Sequence, residues 1–295
     1  MASVRLDQYA RLDHYATMSK PKQRFDPTFI AGLLIAVVCI LGGLVLEKGD
    51  LHDVTQVTAA LIVFGGTCGA VVVSTPKSSL MSALKRAPSV LWSTAGEPAA
   101  LLERIIELCM SARRNGIVAL EDEIEQISDR FLKKGITLLT DGFSAAEVRT
   151  LLETDMLLAE QDADDDAKVF DAAGGYAPTV GIIGAVLGLM QVMKHLDNIQ
   201  DVGRGIAIAF VATVYGVGIA NLVFLPMASK IRTQTRLASK TREMIIEGVV
   251  AIQEAKNPRL LRQLLEPFLG SDLRPKTSEP EANPPVAFAE TRKAS

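Results

Sequence analysis

Four stretches of the chain run without a charged residue for about the length of a bilayer-spanning helix. They are Thr28–Leu46, Val54–Thr75, Ala172–Met193 and Gly205–Ala228, each close to the ~20 helical residues that cross a hydrocarbon core. Lipid offers no hydrogen-bond partner to irregular backbone, so all four are predicted to be continuous helices. Glu47–Asp53 leaves room only for a tight turn between the first two, and the polar run Lys194–Arg204 joins the last two. The pattern is a pair of membrane hairpins.

The remainder reads as helical and water-exposed. Leu101, Leu102, Ile105, Ile106, Leu108 and Cys109 recur at helical spacing, and Asn115-Gly116 supplies a stop. Val118–Lys134 carries Leu120, Ile124, Ile127 and Phe131 on one face and is predicted to end at Gly135. Ser144 with Glu147 three residues on is a capping-box signal for a third helix, through about Ala159. The acidic run Asp162–Asp166 that follows is expected to be a solvated patch. Beyond Pro226, residues 229–268 alternate basic and apolar positions, as if the fourth crossing continued as one long helix.

The expected fold is all-α: a four-helix transmembrane protein with a helical domain between the second and third crossings. Its parts are an extension at 1–27, a first hairpin at 28–75, a soluble domain at 76–171, a second hairpin at 172–228, a C-terminal helix at 229–270 and a disordered tail at 271–295. Met18 is an alternative start. Lys20, Lys22, Arg24, Lys77, Lys85, Arg86, Lys230, Arg232 and Arg236 flank one side of the membrane, against Lys48, Lys194 and Arg204 on the other. The positive-inside rule therefore places both termini and the 76–171 domain in the cytoplasm.

Composition agrees with a chain divided between lipid and water: 48% of residues are hydrophobic, while the mean hydropathy is only +0.24. The net charge of −3 gives no sign of nucleic-acid binding. Cys39, Cys68 and Cys109 lack metal or disulfide spacing and read as apolar filler. The first apolar run ends in Glu47-Lys48 with no cleavage pattern, so it reads as a retained helix and not a secretory signal.

The chemistry of the crossings lies first in what they lack. Ionisable side chains mark most ion pathways through membranes, and none of the four stretches contains one. Either the chain conducts nothing or another chain supplies the carboxylate. Small residues line defined faces: Gly181, Gly184, Ala185 and Gly188 in the third crossing, and Ala209, Thr213, Gly216 and Ala220 in the fourth. Such stripes let helices approach closely: packing within the bundle is the plain reading, and with the carboxylate missing they are also a candidate partner-facing surface. The Thr213 hydroxyl can bond its own helix or face a wet path. Pro178 leaves the Gly174 carbonyl without its helical donor, and Pro226 does the same to Leu222. Each is a static kink or, at matched depth, half of a hinge.

The stretch DAAGGYAPTVGIIGAVLGLMQVM from Asp171, then GIAIAFVATVYGVGIANLVFLPMA, resembles the third and fourth membrane helices of the MotA/PomA flagellar stator proteins. LIVFGGTCGAVV in the second crossing and ARRNGIVALEDEIE in the soluble domain fit the same family, and the resemblance covers roughly residues 28–265. It implies an ion-driven torque generator in which five such chains ring a dimer of a MotB-type single-span, peptidoglycan-binding partner that carries an essential aspartate. Pro178 and Pro226 match the family's functional prolines. Ala185, Thr213, Gly181 and Tyr215 fall along its ion path, and Arg113 and Glu121 match the charges that engage the rotor protein FliG. Sodium-type members carry threonine where this chain has Ala185, so the resemblance implies proton coupling in the bacterial inner membrane.

Two other readings remain open at this level. TolQ/ExbB-like motor subunits resemble the chain but have three crossings, and the first hairpin argues against them. A non-conducting scaffold would present its soluble helices to a partner. No nucleophile–base arrangement, phosphate loop or metal spacing suggests an enzyme or a cofactor, and His14, His52 and His195 stand isolated.

Overall fold

The computed structural model describes residues 24–49, 54–93, 98–194, 196–197 and 199–269. The expected extension as far as Gln23, the tail from Ser271, and His14, His52 and His195 lie outside them. Helix α1 (Thr28–Leu46) has the bounds of the first predicted crossing. Helix α2 (Val57–Ser74) is the second, widened by a π turn at Leu61–Gly65 that abuts the Gly65-Gly66 pair. Helix α3 (Lys77–Arg86) begins just after Pro76 and runs into a 3₁₀ turn at Ala87–Leu91. The chain then pairs Trp92–Ser93 antiparallel with Arg24–Phe25, a two-residue ladder within an otherwise helical set of described residues.

In the soluble part the structure departs from the predicted elements at three places. Helix α4 (Pro98–Asn115) forms as its spacing predicts, but the run expected as one helix over Val118–Lys134 divides. Ile117–Gln126 is 3₁₀, and a new helix α5 (Arg130–Thr140) starts behind Asp129, whose carboxylate accepts from the Leu132 N–H at 2.8 Å. Gly135 does not stop this helix. It lies inside it because a Cβ there would stand 2.9 Å from Val249 Cγ2 and 3.3 Å from Leu152 Cδ1.

The second departure is helix α6 (Ala145–Lys194), a single helix of 50 residues and about 75 Å long. Its capping box is formed: the Glu147 N–H donates to Ser144 Oγ at 3.4 Å and the Ser144 N–H to Glu147 Oε2 at 2.9 Å. No helix-breaking residue occurs between Ala159 and Gly174, so the third soluble helix and the third crossing are one rod. The third departure follows the fourth crossing. Helix α7 (Ile199–Gln253) carries a π turn at Ala220–Phe224 and ends where Ala255 takes φ 51°. Asn257 then caps a separate helix α8 (Pro258–Leu265), followed by a 3₁₀ turn at Glu266–Phe268.

Three cores hold these rods. In the soluble body, Leu102 and Ile105 of α4, Leu132 and Ile136 of α5, Leu152 of α6, Ile245 and Ile252 of α7, and Leu261 of α8 are buried together. Segments on either side of the second hairpin thus fold as one body. A neck core that mixes Ala83, Ala163, Ala167, Ala173 and Ala228 with Val71, Val90, Val169, Phe170 and Ile231 packs α2, α3, α6 and α7 together. Within the membrane part, Ala59, Val63, Val211 and Ala212 form the third. There the usual polarity of burial is reversed, with large apolar side chains such as Val73, Met193 and Phe210 pointing outward. Lipid is as apolar as they are, so close approach by small residues has to drive the packing.

Candidate functional site

The second hairpin is closed by its small residues. A Cβ on Gly181 would stand 2.8 Å from the Ala212 carbonyl oxygen, one on Gly188 2.8 Å from the Ala209 nitrogen, and one on Gly216 2.5 Å from the Ala177 oxygen. Gly184 meets Ala212 Cβ at 2.8 Å, and Gly205 meets the Gly188 oxygen at 2.9 Å. The two stripes therefore face each other across α6 and α7. They serve packing within the bundle, the plainer of the two readings, and not a partner-facing surface: glycine removes the side chain that would hold the two backbones apart, and the helices close on the gap.

That seam sorts the four residues expected along an ion path. Gly181 is buried within it. Tyr215 turns toward α2, where its hydroxyl donates to the Val54 carbonyl and accepts from the Gln56 N–H at 3.3 Å. Its ring lies 6.1 Å from that of Phe64. Tyr215 thus satisfies one of the orphan N–H groups at the start of α2 and works as a clasp. Ala185 and Thr213 are half-buried beside the seam. The Thr213 Cα stands 3.5 Å from where a Gly181 Cβ would be, and its hydroxyl donates to the Ala209 carbonyl at 3.2 Å, within its own helix.

Around the two prolines α6 and α7 stay in close contact. Gly174, whose carbonyl loses its donor to Pro178, packs so closely on α7 that a Cβ would meet Leu225 Cδ2 at 2.7 Å and Phe224 Cβ at 3.6 Å. Leu225 immediately precedes Pro226, and Phe224 closes the π turn. The Leu225 N–H bonds the Ala220 carbonyl five residues back. The fourth crossing therefore widens just where Pro226 interrupts its ladder.

Next to the prolines lies a charged collar that the sequence pattern does not reveal. The Arg232 guanidinium bridges two carboxylates of α6: its Nε donates to Asp164 Oδ1 at 2.9 Å and its Nη2 to Asp171. Asp166, only 2% exposed, pairs with Arg86 at the end of α3. Lys230 pairs with Asp26 ahead of α1, and Lys168 with Asp164 and Asp165. The expected solvated patch at 162–166 is thus largely a set of ion pairs, because α6 carries it past the basic ends of α3 and α7. Hydrogen bonds from Arg232 and Lys168 hold the Asp164 carboxyl below its ordinary pKa. The Lys230 ammonium and the Thr28 hydroxyl lower Asp26 to about 2.

At the far end of the body, Arg113 lies in the last turn of α4 and Glu121 in the following 3₁₀ segment, both exposed. Gly116 turns the chain between them with φ 87°, a backbone conformation that favours glycine. Among the described residues neither side chain forms an ion pair, whereas nearby Glu123 bonds Ser111 at 2.6 Å and Arg104 at 3.2 Å. No cluster of three or more His, Cys, Asp or Glu side chains among the described residues could hold a metal.

Two family models match the chain: the MotA/TolQ/ExbB proton channel family over residues 123–244 and the Motility protein A N-terminal family over residues 30–116. Motility protein A of Bacillus subtilis is 34% identical over 259 residues, 86% of this chain and 94% of that protein. The chain belongs to the MotA/TolQ/ExbB proton channel family. A solved structure of C. jejuni MotAB has a chain with a TM-score of 0.81 at 32% identity, covering 86% of this chain and 99% of that one. The flagellar MotAB stator complex of Bacillus subtilis gives 0.77 at 32% identity, covering 83% and 97%.

Membership of this family, together with four helices long and apolar enough to cross, makes the chain a multi-pass protein of the inner membrane. The Motility protein A N-terminal match spans nearly all of the first hairpin and continues through α4. Sequence reading found the prolines and the small-residue stripes of this family member, but not the collar. Its only trace in sequence is the spacing of Asp164 and Asp171, seven residues apart and therefore on one face of a helix.

Proposed function

We propose that the chain is the ring-forming subunit of a flagellar stator, which with a MotB-type single-span partner conducts ions and converts their flow into torque. One observation carries this reading: a chain that aligns over most of its length with MotA-type subunits has no ionisable side chain within its four apolar spans. Proton relays through membranes use titratable side chains, so in this reading the partner brings the carboxylate. Five copies around a partner dimer would place several second hairpins about one aspartate in turn.

In this reading both termini and the soluble body are cytoplasmic, as the distribution of basic residues supports. Ala185 and Thr213 flank the ion route, Pro178 and Pro226 form the joint between membrane and body, and Arg113 and Glu121 meet the rotor protein FliG. Ala185 in place of an oxygen ligand, with the Thr213 hydroxyl bonded to its own helix, favours protons over a hard cation that needs several oxygens.

The test is complementation of a strain lacking its native stator genes. The chain with its MotB-type partner restores swimming, and changing the partner's membrane aspartate to asparagine abolishes it. Swimming speed follows the proton gradient and not external sodium. Pro178→Ala with Pro226→Ala removes motility at normal membrane levels. Rotation that survives loss of the partner aspartate refutes the channel, and speed that tracks sodium and ignores a protonophore refutes proton coupling.

A further inference from the structure

The neck has to carry force between the prolines and the rotor-facing body, yet half of its buried apolar residues are alanines, among them Ala163, Ala167 and Ala173 of α6 and Ala228 of α7. Small side chains bring helices close but interdigitate little, so they resist sliding along the helix axis poorly. The collar lies at this level. Arg232 stands six residues beyond Pro226 on α7, and Asp171 seven residues before Pro178 on α6. One guanidinium spans Asp164 and Asp171, two helical turns apart on the same face. Displacing α7 by one turn along α6 would take Arg232 away from at least one of the two carboxylates. Fixing register is the best-attested use of ion pairs that are partly removed from water.

We propose that Arg232, Asp164 and Asp171 form a yoke that makes the two proline-bearing helices move as one piece on their cytoplasmic side. They are positioning residues for torque generation. Arg86 with Asp166, and Lys230 with Asp26, tie the first hairpin to the same piece. A movement at the proline joint then reaches Arg113 and Glu121 undivided, because α6 and α7 both end in the body core. The yoke rests on the stator reading above.

The experiment uses the full chain with its MotB-type partner in cells lacking native stators, following a bead on one motor as units join. The number of upward speed steps reports how many units assemble, and the height of each step reports torque per unit. Arg232→Gln and Asp171→Asn are expected to lower step height roughly twofold or more, the range in which coupling substitutions act, with the number of steps unchanged. Arg232→Lys keeps the charge without the fork and is expected to recover part of the height. Wild-type step heights in Arg232→Gln and Asp171→Asn overturn the yoke. So do fewer steps of full height, or absence from the membrane, since either assigns the pairs to folding alone. If the wild-type chain itself drives no rotation, the stator reading falls, and the yoke falls with it.

Discussion

Gly216 offers the sharpest test of how the second hairpin is built. A Cβ at this position would stand 2.5 Å from the Ala177 carbonyl oxygen, inside the 3.0 Å that real Cβ atoms respect. In Gly216→Ala, α6 and α7 must therefore separate by about half an ångström, directly beside Pro178. Backbone cannot rotate out of the way as a side chain can, so overpacking here is expected to cost ~1–3 kcal/mol. Alanine also gains about 1 kcal/mol over glycine in a helix, and that gain is shared by Gly203→Ala and Gly218→Ala in the same helix. At those two positions a Cβ meets nothing within 4 Å. The two controls are expected to be neutral or slightly stabilising, and Gly216→Ala to fall below them by the full overpacking cost. At roughly 2–4 °C per kcal/mol the gap is about 2–12 °C. The assay is thermal unfolding of the detergent-solubilised complex of chain and partner, followed by loss of its assembled peak in size-exclusion chromatography. Equal melting of Gly216→Ala and the controls would refute the glycine seam.

Two further outcomes follow from the clasp and the ion pairs. Tyr215→Phe removes a hydroxyl that both donates to Val54 and accepts from Gln56, so amide exchange at the start of α2 is expected to rise by roughly fivefold, the equivalent of ~1 kcal/mol for a lost hydrogen bond. Unchanged exchange there would show that the clasp holds nothing. Arg262 lowers the pKa of Glu103, Arg149 that of Glu247, Arg232 that of Asp164 and Lys230 that of Asp26. Folded carboxylates with lowered pKa contribute stability above their unfolded values and lose it as pH falls through the folded ones. Melting temperature is therefore expected to hold from pH 7 to about 5 and to drop below about 4. A drop centred near pH 6 would implicate groups other than these carboxylates.

Local pattern alone reaches the four crossings, the capping box at Ser144 and the two prolines, because each depends on residues adjacent in sequence. A charge-free run of some 20 residues has few places to be other than a bilayer, and a proline lacks its N–H in any fold. The absence of a membrane carboxylate is equally legible, and it reduces the choice to a chain that conducts nothing or one completed by a partner. Continuity is harder to read. The residues between Ala159 and the third crossing contain no break, yet that α6 is one rod is apparent only where the acidic turns at 162–171 meet their basic partners.

The tertiary structure decides what the small residues and charges do. Gly181, Gly188 and Gly216 are the same residues whether they face a partner or each other, and only the approach of α6 to α7 turns them into a seam. The Tyr215 hydroxyl meets Val54, 161 residues away, a contact that no local pattern predicts. Asp164 and Asp166 read as solvated acid until α3 and α7 bring Arg86 and Arg232 to them. A side chain's role depends on what stands opposite it, and for partners 61 to 80 residues distant only the fold supplies that.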